Sequence, residues 1–288
     1  MKRMTLLGFG CCMLVAVATS QAQETVLLSD TYDTTASNFI NSDLESRQAG
    51  IYATSTYTNS ESGLTDASHT VGFGGAALRL SVTPSPPYSN RWVSVTPDRN
   101  FDDDPGDGYS FIRFDIKPGA GGWLGLVFAS PTAIASDGDF AKGGVSVLFR
   151  SNGNHHVWIN NVDKYTGDQN YGTAGVTNTV EFRIYDPAGG SPWDDSGVSR
   201  VEMYVNGAET PKKTFNVASP GFSDNYITLA GWQDSGSPNH DVEDLVIGTA
   251  EFPGIPEPST LPLLGLALVG TVLVLGRRLL RPAATSAR

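Results

Sequence analysis

The sequence has only two cysteines, and both lie within its first twelve residues. Cys11 and Cys12 stand inside a short apolar run, so the rest of the chain carries no thiol. This excludes disulfide bonds, cysteine nucleophiles and thiolate metal sites from the body of the protein. A domain without disulfide bonds relies on its hydrophobic core alone, and a hydrophobic fraction of 40% over 288 residues is ample for one.

Basic residues are scarce in the middle of the chain. All 30 acidic residues lie between Glu24 and Glu257, together with only 13 of the 19 basic ones, which gives this span a formal charge of −17. Nucleic-acid binding needs clustered Lys and Arg against the phosphates, so the composition argues against a nucleic-acid partner. Long helical periodicity is also missing, and 32 glycines with 17 prolines favour turns and short strands over a helical bundle.

The N-terminus has the three parts of a secretory signal peptide. Lys2 and Arg3 precede the apolar run 6–18, and Ser20 and Ala22 place small residues before a cleavage site. We therefore predict a signal peptide over 1–22. The apolar run is short of the ~20 residues that a spanning helix needs. A retained membrane anchor and a lipoprotein site at Cys11 are the alternatives.

A second apolar segment stands near the C-terminus. Pro256, Glu257 and Pro258, within a Pro-rich stretch over 253–260, precede an apolar run that arginines follow at once. This order predicts a transmembrane helix over 261–280 and a basic cytoplasmic tail over 281–288. The run 261–276, which is apolar apart from Thr271, makes about 24 Å of helix at ~1.5 Å per residue, and flanking leucines with snorkelling arginines extend it.

This tail resembles the PEP-CTERM sorting signal of Gram-negative bacteria, which combines a Pro-Glu-Pro motif, a single span and a basic end in this order. The resemblance implies handling near Pro256, Glu257 and Pro258 by an exosortase, a membrane transpeptidase. It implies bacteria that make exopolysaccharide, and a protein held at the inner membrane and then processed to the cell surface or extracellular matrix. A plain membrane anchor is the alternative.

The body of the chain, 23–252, alternates apolar and polar residues with a period of two. The apolar sets of three such segments are Ile112, Phe114 and Ile116; Val180, Phe182 and Ile184; and Val201, Met203 and Val205. The pattern predicts ten or more antiparallel strands that pack as a sandwich of two sheets. Asn206 and Gly207 predict a tight turn between two of these strands.

Three segments of the body resemble strands of laminin-G-like and pentraxin-like domains. They are the Glu-Met-Tyr-Val-Asn-Gly run within 201–207, the closing strand 241–248 and the opening strand 27–33. The resemblance implies a concanavalin A-like jelly roll. This fold hosts both lectins and glucanases, so the fold alone does not decide the activity.

Two predicted strands carry aromatic and polar side chains that suit a sugar. His156, Trp158 and Asn160 share one face of the first strand, and Tyr226 and Trp232 share one face of the second. Aromatic rings match the apolar C–H face of a sugar, while imidazoles and amides match its hydroxyls. We predict that these five residues line a glycan-binding groove. The alternative is that both tryptophans only cover the core.

Carboxylates are dense in the loop 102–108. Asp102, Asp104 and Asp107 are predicted ligands of a calcium ion, which favours several oxygen ligands on a flexible turn. The alternative is a solvated turn. A retaining glucanase needs two carboxylates about 5–5.5 Å apart, and the Glu-x-Asp-x-x-Glu spacing that supplies them on this fold is absent from the sequence. Glu181 and Glu202 occupy outward strand positions and are interpreted as parts of a solvated face.

The sequence thus favours a non-catalytic protein that binds extracellular polysaccharide or matrix, and assigns no catalytic residue. Whether the chain is an enzyme stays open at this point. A glycan-active hydrolase or lyase on the same fold is one alternative, and a structural or adhesive matrix protein is the other.

Overall fold

The computed structural model describes residues 22–32, 57–62, 69–73, 77–82, 91–97, 99–130, 144–160, 162–188, 191–193, 198–218, 224–233, 235–236 and 238–252. One compact unit comprises Ala22–Glu251. The predicted signal peptide apart from Ala22, the sorting motif and the C-terminal helix lie outside the described residues. Within the described ranges, no helix is long and apolar enough to cross a membrane.

The described part of the chain consists of strands, turns and loops. Its fifteen strands are β1 Gln23–Asp30, β2 Tyr57–Ser62, β3 His69–Phe73, β4 Leu78–Val82, β5 Arg91–Pro97, β6 Tyr109–Lys117, β7 Gly122–Ser130, β8 Val145–Arg150, β9 Asn154–Ile159, β10 Val162–Asn170, β11 Asn178–Tyr185, β12 Val198–Val205, β13 Lys213–Ala218, β14 Tyr226–Gln233 and β15 Asn239–Glu251. The all-β prediction is confirmed.

The strands form two antiparallel sheets. The first sheet runs β13-β12-β11-β6-β15-β4-β3, with β1 paired to the far part of β15, and the second runs β10-β9-β8-β7-β14-β5-β2. The long strand β15 pairs with β4 through its first residues and with β1 through its last. The opening and closing strands predicted from the sequence are therefore neighbours.

The two sheets pack face to face around one core. Phe114 of β6 and Phe182 of β11 come from the first sheet, and Phe128 of β7 and Phe149 of β8 come from the second. The Phe128 and Phe182 ring centroids lie 5.4 Å apart, and those of Phe114 and Phe149 lie 6.3 Å apart. The predicted two-sheet sandwich is confirmed, because alternate residues of each strand meet those of the other sheet.

The turn predicted at Asn206 and Gly207 is present. Both residues have a positive φ, 52° and 69°, and the Ala208 N–H donates to the Val205 carbonyl. The connection is longer than the turn, since β13 begins only at Lys213. The Asn206 side chain accepts from the Thr179 N–H of β11, so this asparagine ties the turn to the sheet as well as bending the chain.

Candidate functional site

The outer face of the second sheet carries an apolar cluster of its own. The core side of β7 is occupied by Leu124, Leu126 and Phe128, so the intervening residues point to the opposite face. There, Trp123 and Leu148 pack with the partly buried Trp158 and Trp232, apart from the core between the sheets. Large apolar side chains on this face need a different explanation from those inside.

Strand register joins these side chains into one continuous surface. Trp232 of β14 lies directly opposite Trp123 of β7. The Trp123 ring centroid is 4.9 Å from that of His156, which is 5.3 Å from that of Trp158. We call the four residues Trp123, His156, Trp158 and Trp232 the aromatic patch. It extends from β14 across β7 and β8 to β9.

The members of the patch differ in how much of each ring reaches the surface. Trp123 is only 5% exposed, and the Arg150 guanidinium carbon lies 3.6 Å from the centre of its ring. Trp158, Trp232 and His156 are half-buried. The patch therefore presents two tryptophans at the surface, with a third indole covered by a stacked cation.

A polar hollow of about 180 Å³ lies beside the Trp123 and Arg150 end of the patch. Its lining residues are Gly121, Gly122, Arg150, Ser151, Asn152 and Ser235. Together they supply one guanidinium, two hydroxyls and one side-chain amide. These groups donate and accept hydrogen bonds in the way that sugar hydroxyls require.

Two glycines allow the walls of the hollow to approach each other. The Ser235 N–H donates to the Gly121 carbonyl at 2.7 Å, and Gly121 has a φ of +84°. A Cβ at Gly121 would lie 2.2 Å from the Ser235 carbonyl oxygen, and one at Gly122 would lie 2.1 Å from that of Trp232. Only glycine leaves room for this approach.

A buried histidine, His240, forms hydrogen bonds with the backbone of the same region. The Gly119 N–H donates to His240 Nδ1 at 3.1 Å, and His240 Nε2 lies 3.0 Å from the Trp232 carbonyl oxygen. Because a backbone N–H can only donate, Nδ1 is the acceptor and Nε2 carries the proton. Burial lowers the pKa of His240 from 6.5 to about 4, against smaller raising effects of the Trp232 carbonyl and Asp241. The imidazole is therefore neutral at pH 7.

The structure brings together three of the five predicted glycan-binding residues. His156, Trp158 and Trp232 meet through Trp123. Tyr226 lies six residues from Trp232, about 20 Å along an extended strand, opposite Ser130. Asn160 follows the end of β9, where it is exposed with a φ of 49°. These two residues lie away from the hollow, and the glycan role of all five stays a prediction.

Sequence reasoning missed Trp123 and Arg150. The signal for Trp123 was available, because the core-facing set of β7 places it on the same face as His156 and Trp158. The signal for Arg150 was not, since only the register of β7 with β8 shows that this arginine lies opposite Trp123.

The carboxylates of the loop 102–108 point to separate partners. Asp102 accepts from the Asn100 side chain at 3.1 Å, Asp104 accepts from the Gly106 N–H at 2.8 Å, and Asp103 pairs with Arg99 at 3.1 Å. Asp107 is exposed. No three His, Cys, Asp or Glu residues in the described ranges gather as metal ligands. The side chains do not converge on a calcium ion here, and calcium stays a prediction.

The outward position predicted for Glu181 and Glu202 is confirmed, but their surroundings are less solvated than expected. Their side chains are 15% and 13% exposed. Glu181 pairs with Arg183, and Glu202 accepts from the Tyr204 hydroxyl at 2.6 Å. Arginine and tyrosine side chains cover both carboxylates, so this face of the first sheet is a paired ionic layer.

Comparison with known proteins gives structural neighbours only. No protein-family model and no curated protein matches the chain. The potassium-bound carbohydrate recognition domain of Emp46p is 13% identical with a TM-score of 0.44, over 66% of this chain and 87% of that one. The VIP36 exoplasmic/lumenal domain bound to Ca²⁺ and Man3GlcNAc is 11% identical with a TM-score of 0.40, over 70% and 89%. The class of this protein is set by its own strands: an all-β protein of two packed antiparallel sheets.

Proposed function

We propose that this chain is an exported surface protein that binds extracellular polysaccharide without turning it over. The observation that carries the proposal is the aromatic patch. Trp158 and Trp232 lie on the outer face of a sheet whose other face already builds the core, and both rings reach the surface. A polar hollow adjoins the patch.

The two parts of this surface match the two sides of a sugar. A pyranose ring has an apolar C–H face, which packs on an indole, and an edge of hydroxyls, which needs donors and acceptors. The half-buried indoles supply the first. Ser151, Asn152 and Ser235 supply the second within the hollow.

Export and sorting belong to the same proposal, on the evidence of the sequence. The signal peptide over 1–22 and the PEP-CTERM-like tail support secretion across the inner membrane, transient anchoring and handling by an exosortase-type transpeptidase at Pro256, Glu257 and Pro258. The concanavalin A-like arrangement is also part of it, supported by the pairing of the opening strand β1 with the closing strand β15.

A glycan array tests the binding. The compact unit 22–251, which has its own core, is applied with calcium and with chelator, and any glycan that binds is analysed for products. We expect binding without release of shorter sugars. Trp158→Ala and Trp232→Ala should each weaken it about tenfold or more, because truncation of a central tryptophan is commonly costly at a binding surface.

The control for these variants is Val198→Ala. Val198 is 43% exposed on β12 of the other sheet, so its truncation removes surface apolar area away from the patch. Unchanged affinity in the two tryptophan variants, with unchanged melting temperature, would contradict the proposal. Release of oligosaccharide would identify an enzyme, and a blank array would favour the matrix-protein alternative. Loss of binding in chelator would support the calcium prediction.

A further inference from the structure

We infer that the aromatic patch binds an internal stretch of a straight polysaccharide chain, in which 1,4-linkages join equatorial positions of the sugar rings. Trp158 and Trp232 then contact different sugar residues of the same chain. The inference rests on the proposed function and names the shape and length of the glycan that this surface takes. It starts from the distance between the two half-buried indoles.

The register of the second sheet sets that distance. One line of directly opposed residues crosses four neighbouring strands through Thr228, Val127, Ser146 and Trp158. Trp158 of β9 is therefore level with Thr228 of β14, and Trp232 lies four residues further along β14. Four residues at ~3.3 Å and three strand spacings of ~4.8 Å place the Cα atoms of Trp158 and Trp232 roughly 19 Å apart.

Ring contacts join the two indoles into one surface. Trp232 lies opposite Trp123, whose ring centroid is 4.9 Å from that of His156, and the His156 ring centroid is 5.3 Å from that of Trp158. Leu148 belongs to the cluster against which both half-buried indoles pack. The aromatic patch is therefore an elongated surface that runs obliquely across the strands, and not two separate spots.

A single sugar is too short to reach both indoles. A pyranose residue of an extended chain spans about 5 Å, given covalent bonds of about 1.5 Å. The rings lie closer together than the Cα atoms, because the centroid steps through His156 are only 4.9 and 5.3 Å. A chain of about three or four sugar residues is therefore needed to contact Trp158 and Trp232 together.

The elongated patch favours a straight chain. Trp158 and Trp232 lie on the same face of the sheet, so the chain must follow that face over the whole distance. Two equatorial linkage bonds leave a pyranose ring from opposite ends and nearly in line, whereas an axial bond turns the chain into a helix. A chain that is already straight also loses less conformational freedom when it binds.

The patch is suited to internal residues of the polymer. The hollow that adjoins it has a volume of about 180 Å³, below the ~300–1,000 Å³ of pockets that enclose a small ligand. It has room for part of the chain and does not enclose a chain end. Stacking of an indole on a C–H face is available at every residue of a polymer, so recognition does not depend on the ends.

Two contacts on one chain produce a dependence on chain length. Once a sugar is bound at Trp232, a second sugar of the same chain meets Trp158 at the effective concentration that the linkage sets. A disaccharide reaches only one indole at a time. The gain should therefore appear when the chain becomes long enough to span the patch and should then level off.

Oligosaccharides of two to six residues test the inference. β-1,4-linked series of glucose, mannose and N-acetylglucosamine are compared with α-1,4-linked glucose by calorimetry on the compact unit with calcium present. We expect at least one β-linked series to bind about tenfold or more tightly at four residues than at two, with about threefold or less gained from four to six. The α-linked series should show no such rise, because its chain is helical.

Variants assign the rise to the two indoles. In the β-linked series that binds best, Trp158→Ala and Trp232→Ala should each weaken the hexasaccharide about tenfold or more and the disaccharide about threefold or less. The remaining indole still holds a disaccharide, and that binding also shows that the variant is folded. The control is Val162→Ala, which truncates a side chain that is 51% exposed on β10 of the same sheet and should leave the whole series unchanged.

The failures are distinguishable. A hexasaccharide that binds no more tightly than the disaccharide, an equal rise in the α-linked series, or the same proportional loss at both lengths in the variants would overturn the inference and leave the proposed function standing. Binding to other glycans on the array, with none of the three β-linked series bound, would do the same. A chain that binds no glycan at all would overturn the proposed function, and the inference with it.

Discussion

Single buried polar residues hold the candidate site in shape, and His240 is the clearest of them. Its ring accepts from the Gly119 N–H and donates to the Trp232 carbonyl, so it ties the loop before β7 to the strand that carries Trp232. Protonation would place a second N–H against the Gly119 donor. The bond pattern therefore requires the neutral imidazole.

The lowered pKa of His240 makes the free energy of unfolding decrease as the pH falls. The unfolded chain binds a proton at His240 near pH 6.5, whereas the folded chain binds it only near pH 4, so the unfolded state gains protons first as the pH falls. The free energy of unfolding should decrease by about 3 kcal/mol between those pH values on account of this residue. Denaturant unfolding at about pH 7 and about pH 4.5 measures it.

The comparison with His240→Gln isolates the contribution. The variant keeps a polar side chain and loses the titrating ring, so its stability should fall less over the same pH interval. Carboxylates titrate in both proteins and cancel in the difference. Parallel curves for the two proteins would show that His240 is not the source of the effect.

At the scale of strands, the two sheets use their outer faces differently. On the first sheet, Arg183 lies 4.2 Å from the ring centre of Tyr204 and pairs with Glu181, and Arg200 lies over Tyr185. Burial raises the pKa of the Tyr185 hydroxyl above its usual value. Charges and rings there satisfy one another, whereas the second sheet leaves half-buried indoles beside a hollow. The second sheet is accordingly the face to which we assign the proposed glycan binding.

Close strand packing leads to a prediction at Gly248 of β15. A Cβ there would lie 2.3 Å from the Thr25 carbonyl oxygen of β1 and 2.8 Å from the Phe111 ring of β6. Gly248→Ala should therefore lower stability by about 1–3 kcal/mol, the usual cost of overpacking. Because β1 is the element displaced, its amide hydrogens should exchange faster than those of β6.

Gly207→Ala is the control. Gly207 has open space around its Cβ position but a φ of +69°, so alanine there costs backbone strain, about 1 kcal/mol, without a collision. It should leave exchange in β1 unchanged. Equal exchange in β1 for both variants would contradict the role assigned to Gly248.

For the molecule as a whole, we propose that the two terminal segments direct the export and placement of the acidic body. Replacement of Pro256, Glu257 and Pro258 by alanine in the full chain should leave an unprocessed precursor in the inner membrane of an exosortase-bearing host. The reason is that the proposed transpeptidase would lose its motif while the apolar span stays intact. Cell fractionation and mass spectrometry of the C-terminus measure the outcome.

Pro253→Ala, just outside the motif, should be processed normally. A motif variant that reaches the surface as efficiently as the parent protein would show that the tail acts as a plain anchor. The same fractionation in a host without an exosortase should give precursor only.

The period-two pattern predicted most of the strands and which of their faces builds the core, but it did not predict β2, β3, β10 and β13. Val180, Phe182 and Ile184 all lie in the core as expected, because alternation along one strand is a local property of an extended backbone. The same logic separated His155, which is fully buried, from the half-buried His156. The two-sheet class follows from many such two-faced strands.

The partners across strands could not be predicted in this way. Trp123 meets Trp232 and Arg150 because β14, β7 and β8 are neighbours in a particular register, although these residues are distant in sequence. The same holds for His240, whose bonds to Gly119 and Trp232 depend on the close approach of separate segments.

The amino-acid sequence by itself therefore determined the strand pattern, the core faces, the acidic charge and the expectation of export, since each depends on neighbouring residues or on composition. Only the tertiary structure decided which aromatic rings form one surface, which cation lies beside them and how the loop carboxylates are partnered. Pairing and register between distant segments set those contacts, because a side chain's neighbours across a sheet are chosen by the packing of the whole sandwich.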